Sequence, residues 1–154
     1  MPLKNAETYL NTAVYQLRKV LSLHGFKEIV ISAQEQYRVD LEQADVDFIP
    51  FEQGAEQLFE INAANEASAI ALEKQFAGEL FEDNSFVWAT VERERLAILY
   101  DSLAKRLANW LLDRKRYREA AQIAKRMVSR NEFEEESTLL LLKIYGAIGD
   151  RHAL

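Results

Sequence analysis

Phe86-Val-Trp-Ala-Thr-Val-Glu-Arg-Glu-Arg-Leu-Ala-Ile-Leu-Tyr-Asp-Ser-Leu-Ala-Lys-Arg-Leu-Ala-Asn-Trp-Leu-Leu112 is the most regular stretch of the chain. Val87, Trp88, Val91, Leu96, Leu99, Tyr100, Leu103, Leu107, Trp110 and Leu111 recur at steps of three and four, so the run predicts one long amphipathic helix as the spine of a helical domain. Trp88, Tyr100 and Trp110, with Tyr117 just beyond, read as core aromatics at helical spacing. Two more helices are expected, over about Tyr117–Ser129 and Phe133–Ala147. Ala108, Ala120 and Ala124 stand where small side chains let paired helices approach closely.

Upstream of the spine, Ala67, Ile70, Ala71, Lys74 and Phe76 set the period of a helix from about Asn65 to Ala77. Gly78 breaks it, and Leu80 to Ser85 forms a loop. Asp45-Val-Asp-Phe48 opens a further acidic, helical segment, with Asp47 placed to cap its first turn and Pro50 tolerated among early amides that lack partners. Before that lies a helix from Asn5 to Leu23, whose Leu10, Ala13, Val14, Leu17, Val20 and Leu21 make one apolar stripe facing a core, and Gly25 ends it. Glu28–Ser32 and Gln36–Leu41 are the chain's one strand signal and predict a short hairpin. The expected fold is mainly α: a helix and short β-hairpin over residues 1–43, then a helical repeat domain over 44–154. Lys115-Arg-Tyr-Arg-Glu-Ala120 and Gly149-Asp-Arg-His-Ala-Leu154 occupy equivalent turns 34 residues apart, the period of tetratricopeptide helix pairs.

Composition narrows the function classes. At 154 residues with 49% apolar content the chain is globular, and it carries neither an uncharged apolar run of spanning length nor a secretory leader, so a cytoplasmic protein without membrane contact is expected. With no Cys and two histidines, His24 and His152, both read as solvated helix-end residues, no metal site is expected. The net charge of −6 is unevenly spread: residues 1–40 carry five cations against four anions, 41–90 one against eleven, 91–131 eleven against five, and 132–154 two against five. A polyanion is therefore repelled at long range, and any nucleic-acid contact must come from a local patch. There is no Gly-rich phosphate loop and no nucleophile motif, and the carboxylates between 45 and 94 read as surface helical positions, so no enzyme and no cofactor is expected.

The N-terminal helix carries the polar groups a groove reader needs. Opposite its apolar stripe, Asn11, Thr12, Tyr15, Gln16, Arg18 and Lys19 offer amides and hydroxyls beside two cations; Asn and Gln suit adenine edges, Arg and Lys guanine or phosphate, and a following hairpin can reach a neighbouring groove or backbone. The same residues also suit an ordinary amphipathic helix. Leu17-Arg-Lys-Val-Leu21 followed by Tyr37-Arg38-Val39 on a hairpin resembles the last helix and wing of response-regulator-type winged-helix domains, over about Asn5 to Leu41. The resemblance implies that this is the recognition helix, that Arg18 contacts phosphate, that Thr12, Tyr15, Gln16 and Lys19 lie near bases or backbone, and that Asn11 and Arg38 belong to the same DNA-facing set.

Phe76-Ala-Gly-Glu-Leu-Phe-Glu-Asp83, Trp88, Glu92-Arg-Glu-Arg-Leu96, Tyr100 and Arg116-Tyr-Arg-Glu-Ala-Ala121, with Asp45-Val-Asp-Phe48 at the front, resemble the bacterial transcriptional activator domain of Streptomyces antibiotic regulatory proteins and related response regulators. In that family a winged helix lies directly N-terminal, so each resemblance implies the position of the other. Together they imply a piece of a longer transcription activator, with half of the winged helix upstream and the repeat domain cut short at its C-terminus. Promoter DNA, a second copy of the chain and the transcription machinery are the implied partners, and the orphaned helix is expected to expose apolar surface that favours a homodimer. The alternative reading of the residues is a tetratricopeptide-type adaptor that binds a protein partner without touching DNA. Arg93 and Arg95 read equally as salt-bridged helix surface, and the basic run Arg114–Arg118 either as a phosphate patch or as cations drawn to a helix C-terminus.

Overall fold

The computed structural model describes residues 3–33 and 36–149. They are mainly helical, with six α-helices and one two-stranded antiparallel sheet among the described residues, and they form two compact units divided between Asp47 and Phe48.

The first unit is helix α1 (Leu3–Leu23) with strands β1 (Val30–Ala33) and β2 (Gln36–Val39). Two hydrogen bonds close the end of α1: the Phe26 amide donates to the Leu21 carbonyl at 3.0 Å and the Gly25 amide to the Ser22 carbonyl at 3.2 Å. This Schellman pairing needs the left-handed backbone that Gly25 adopts at φ +89°, which a side chain would disfavour. His24 is exposed in that turn, whereas His152 lies outside the described residues, as does all of the second repeat turn after Gly149. The strands pair with Val30 opposite Val39 and Ser32 opposite Tyr37, so these four side chains share one face of the hairpin and Ile31, Ala33, Gln36 and Arg38 the other. The expected core for the α1 stripe is corrected here. Val14 alone of its six residues is buried, Leu21 is partly covered, and Leu10, Ala13, Leu17 and Val20 are exposed. A four-residue-per-strand hairpin is too small to cover three faces of a six-turn helix.

The second unit contains α2 (Phe48–Gln57), α3 (Glu66–Gln75), a 3₁₀ turn at Val87–Ala89 running into α4 (Thr90–Asp113), α5 (Tyr117–Arg130) and α6 (Glu135–Ile148). α4 is the spine, packing against α2, α3, α5 and α6. Leu96, Tyr100, Leu103, Ala104, Leu107, Ala108 and Leu111 point from it into one core, where Ala108, Ala120 and Ala124 are wholly buried, as close helix approach requires. The α4–α5 corner repeats the Schellman pairing, with the Lys115 amide donating to Leu112 and the Arg116 amide to Leu111, both at 2.9 Å, and Lys115 left-handed at φ +61°.

Three expectations in this unit are corrected. The spine helix begins at Thr90 rather than Phe86, because the chain enters through the 3₁₀ turn; Val87, Trp88 and Val91 are exposed, Trp88 at 71%, and are not core. The final helix starts at Glu135, leaving Phe133 exposed. On α3 the phase of the period differs: Ala67, Ala71 and Lys74 are exposed, while Ala69 and Glu73 are buried.

Glu73 also corrects the view of the acidic segment as all surface, since it is only 2% exposed. Arg126 reaches over from α5 and donates through Nε to Oε1 at 2.8 Å and through Nη2 to Oε2 at 2.6 Å, and the Tyr100 hydroxyl donates to Oε1 at 3.0 Å. An unpaired carboxylate is too costly to bury, so this bidentate pairing is what admits an acidic side chain to the α3–α4–α5 junction. Phe76 stacks on Tyr100 at 4.6 Å and meets Phe51 of α2 at 4.9 Å, with the Arg130 guanidinium over both the Phe76 and Tyr100 rings.

Arg126→Met strands the buried carboxylate; because Arg126 itself is half exposed, the expected loss is about 2–3 kcal/mol, below the full cost of an enclosed pair, and is read from urea unfolding. Burial, then the Glu73 charge, pushes the Tyr100 hydroxyl from its ordinary 10.0 up to about 12. A raised folded value means that the proton is held more tightly in the folded state. The associated stability is therefore complete below pH 10 and lost as the pH rises through 12, by on the order of 2–3 kcal/mol. Tyr100→Phe removes this component, so its urea midpoint should fall less than the parent's between about pH 9 and about pH 11.5. Equal falls would show that Tyr100 does not titrate in this way.

Candidate nucleic-acid interface

α1 presents three distinct faces. Thr12, Tyr15, Gln16 and Lys19 follow the i, i+3, i+4, i+7 pattern that places them on one side of the helix, and all four are exposed. The Thr12 hydroxyl donates to the Thr8 carbonyl at 2.8 Å, which leaves its oxygen as an acceptor. The second face is the exposed apolar one of Leu10, Leu17 and Val20.

The third face meets the hairpin, and there Asn11 and Arg18, though exposed, are hydrogen-bonded within the unit. Arg18 donates through Nε and Nη2 to the Val30 carbonyl at 3.1 and 2.8 Å, and through Nη2 to Ser32 Oγ at 2.8 Å. Its guanidinium also sits 5.6 Å from the centre of the Tyr37 ring. The Tyr37 hydroxyl donates to Asn11 Oδ1 at 2.6 Å. Arg18 thus acts as a clip that orients the hairpin against α1. The signal for this was present in the sequence: Asn11 and Arg18, seven apart, share a side of the helix, and Ser32 and Tyr37 are cross-strand neighbours. Arg38 is exposed on the opposite hairpin face from Tyr37, so the structure does not bring it together with the α1 residues. Beside the clip, an open cleft of about 800 Å³ is lined by Arg18 and Lys27 but also by Glu28 and Asp40, a mixed-charge lining rather than a phosphate cradle.

The basic segment of the second unit is partly paired from within, although Lys115 and Arg118 stay exposed. Arg95 bonds Glu92 at 2.5 Å and Glu52 at 2.6 Å, and Arg116 pairs with Glu66 and with Glu119. Glu66 also accepts from the Trp110 indole N–H at 2.9 Å; that hydrogen bond, ahead of the Arg116 pairing, holds its carboxyl below the ordinary range. Lys105 pairs with Glu136, and Arg114 lies 4.2 Å over the Trp110 ring. Within the Arg114–Arg118 run, then, Arg114 and Arg116 serve the α4–α5 corner.

Arg93 works differently. Its guanidinium donates to three loop carbonyls, Leu80 at 2.9 Å, Asn84 at 3.0 Å and Phe81 at 3.3 Å, a role that alternation with glutamates did not reveal.

No protein-family model, curated protein or solved structure matches this chain.

Arg18→Ala removes three hydrogen bonds from the helix–hairpin contact. Amide hydrogen exchange across Val30–Ala33 and Gln36–Val39 should accelerate by about tenfold, with the α4–α5 amides unchanged. Unchanged strand protection would refute the clip.

Proposed function

We propose that the chain is part of a bacterial transcription activator, in which the first unit is the recognition helix and wing of a winged-helix domain and the second a tetratricopeptide-like activator domain that meets a protein partner. The observation that carries the reading is the exposed row Thr12, Tyr15, Gln16 and Lys19 on a helix whose neighbouring face is clipped to a hairpin. Hydroxyl, phenol, amide and ammonium groups in such a row suit base edges and phosphates in a major groove. The exposed Leu10, Leu17 and Val20 face supports the companion reading that α1 is covered, in the functional protein, by further polypeptide or by a second copy in a homodimer.

The internal pairing of Arg95, Arg116 and Arg126 supports reading the first unit as the DNA-contacting one and the second as the protein-contacting one, where close-packed helix pairs offer a surface of the kind repeat proteins use. In this reading the protein is cytoplasmic and non-catalytic. A protein-only adaptor is the second reading, favoured by one observation: the Arg18 guanidinium is already engaged by the hairpin.

With one exposed row and a single cation on it, duplex DNA should bind weakly, in the range of about 10⁻⁴ M at low salt. Titrating a duplex into the labelled chain should move the amide resonances of Thr12 to Lys19 ahead of those of α4 to α6. Lys19→Ala should flatten the dependence of log K on log salt by about one unit. Shifts confined to the second unit, or none at all, would reject the reading.

A further inference from the structure

We infer that the aromatic cluster at the entry to α4 is a docking surface for a cationic, apolar-anchored segment of a partner protein. This deepens the proposal that the second unit meets a protein and rests on it; because only residues of that unit are involved, the test below contains no nucleic acid and bears on this surface alone.

Phe81, Phe86 and Trp88 gather their rings at centroid separations of 5.4–5.5 Å, with Phe86 stacked on Trp88 and Phe81 edge-on to both. All three remain exposed, and Val87 and Val91 extend the apolar strip. Rings in mutual contact at the surface, rather than folded inward, have the composition of an interface centre, where Trp and other aromatics dominate binding energy.

The loop that carries them is held in place. Arg93 ties down the carbonyls of Leu80, Phe81 and Asn84, and Phe81 is fixed at φ +55°, a left-handed backbone that a bulky residue adopts only under constraint. A surface already ordered before binding loses less conformational freedom when a partner arrives.

Charge selects the occupant. Residues 79–94 contain five carboxylates and one cation, Arg93, which is turned onto the loop carbonyls and toward Glu79. Glu82, Asp83 and Glu94 are exposed, and their carboxylates make no ion pair or hydrogen bond among the described residues. Exposed π faces rimmed by free carboxylates attract guanidinium and ammonium groups both by ring quadrupole and by charge-assisted hydrogen bonds, so the matching segment carries Arg or Lys beside an apolar anchor.

The test uses the full chain and a labelled synthetic amphipathic helix bearing Leu on one face and Arg on its flanks, followed by fluorescence anisotropy. Trp88→Ala should weaken binding about tenfold or more, and Val91→Lys, which puts a repelling cation into the apolar strip at an exposed position, should do the same. The double change Glu82→Gln with Asp83→Asn should weaken it several-fold and flatten its salt dependence, while Glu132→Gln, outside this segment, should leave it unchanged. Replacing the peptide's Arg by Glu should abolish binding. Circular dichroism checks that the variants keep their helices. Undiminished binding by both Trp88→Ala and Val91→Lys would overturn the proposal, reducing the attraction to the chain's overall negative charge. Self-association at high concentration, lost in Trp88→Ala, would overturn it in favour of a second copy as the occupant.

Discussion

A buried negative charge governs the architecture of the second unit. Glu73 sits where helices α3, α4 and α5 converge, and it is compatible with that position only because Arg126 and Tyr100 saturate its oxygens. The carboxylate therefore fixes which face of α3 turns inward. With that face set, Glu66, two turns earlier, meets Trp110 and Arg116, and Phe76 at the end of the helix stacks on Tyr100. An apolar residue at 73 would pack without demanding this geometry; the charge makes alternative rotations of α3 expensive.

The same logic extends to the chain's lopsided charge. The acidic stretch before residue 90 and the basic stretch after it look in one dimension like two binding patches. In three dimensions four of the acidic residues are partners of the basic stretch: Glu52 with Arg95, Glu66 with Arg116, Glu73 with Arg126, and Glu79 at longer range with Arg93 and Arg130. Most of these pairs are solvent-exposed at one end and individually weak, but each joins residues far apart in sequence. Their collective effect is to specify which helices neighbour one another.

Periodicity made most of the helical layout legible. The buried Leu96–Leu111 ladder and the alanines of the α4–α5 contact follow directly from helical spacing and side-chain size. What periodicity could not convey was the inward face of α3, because one of its two buried residues is a glutamate whose partner lies 53 positions away. It also overextended the spine to Phe86, since an aromatic cluster that packs on itself carries the same spacing as one that packs into a core. At the first unit the polar row on α1 was readable, but Arg18 was legible only as a cation. Its attachment to Val30 and Ser32 depends on the hairpin folding back onto the Asn11–Arg18 side of α1, to which the seven-residue spacing and the Ser32–Tyr37 pairing point only once the two elements are taken together.

The loop before α4 has one more implication. Three of its carbonyls are already occupied by Arg93, so its backbone has little left to offer a strand that might add alongside it. Whatever meets this surface must do so through side chains. Recognition there is consequently tolerant of the partner's backbone conformation and strict about the shape and charge of the groups that reach the rings.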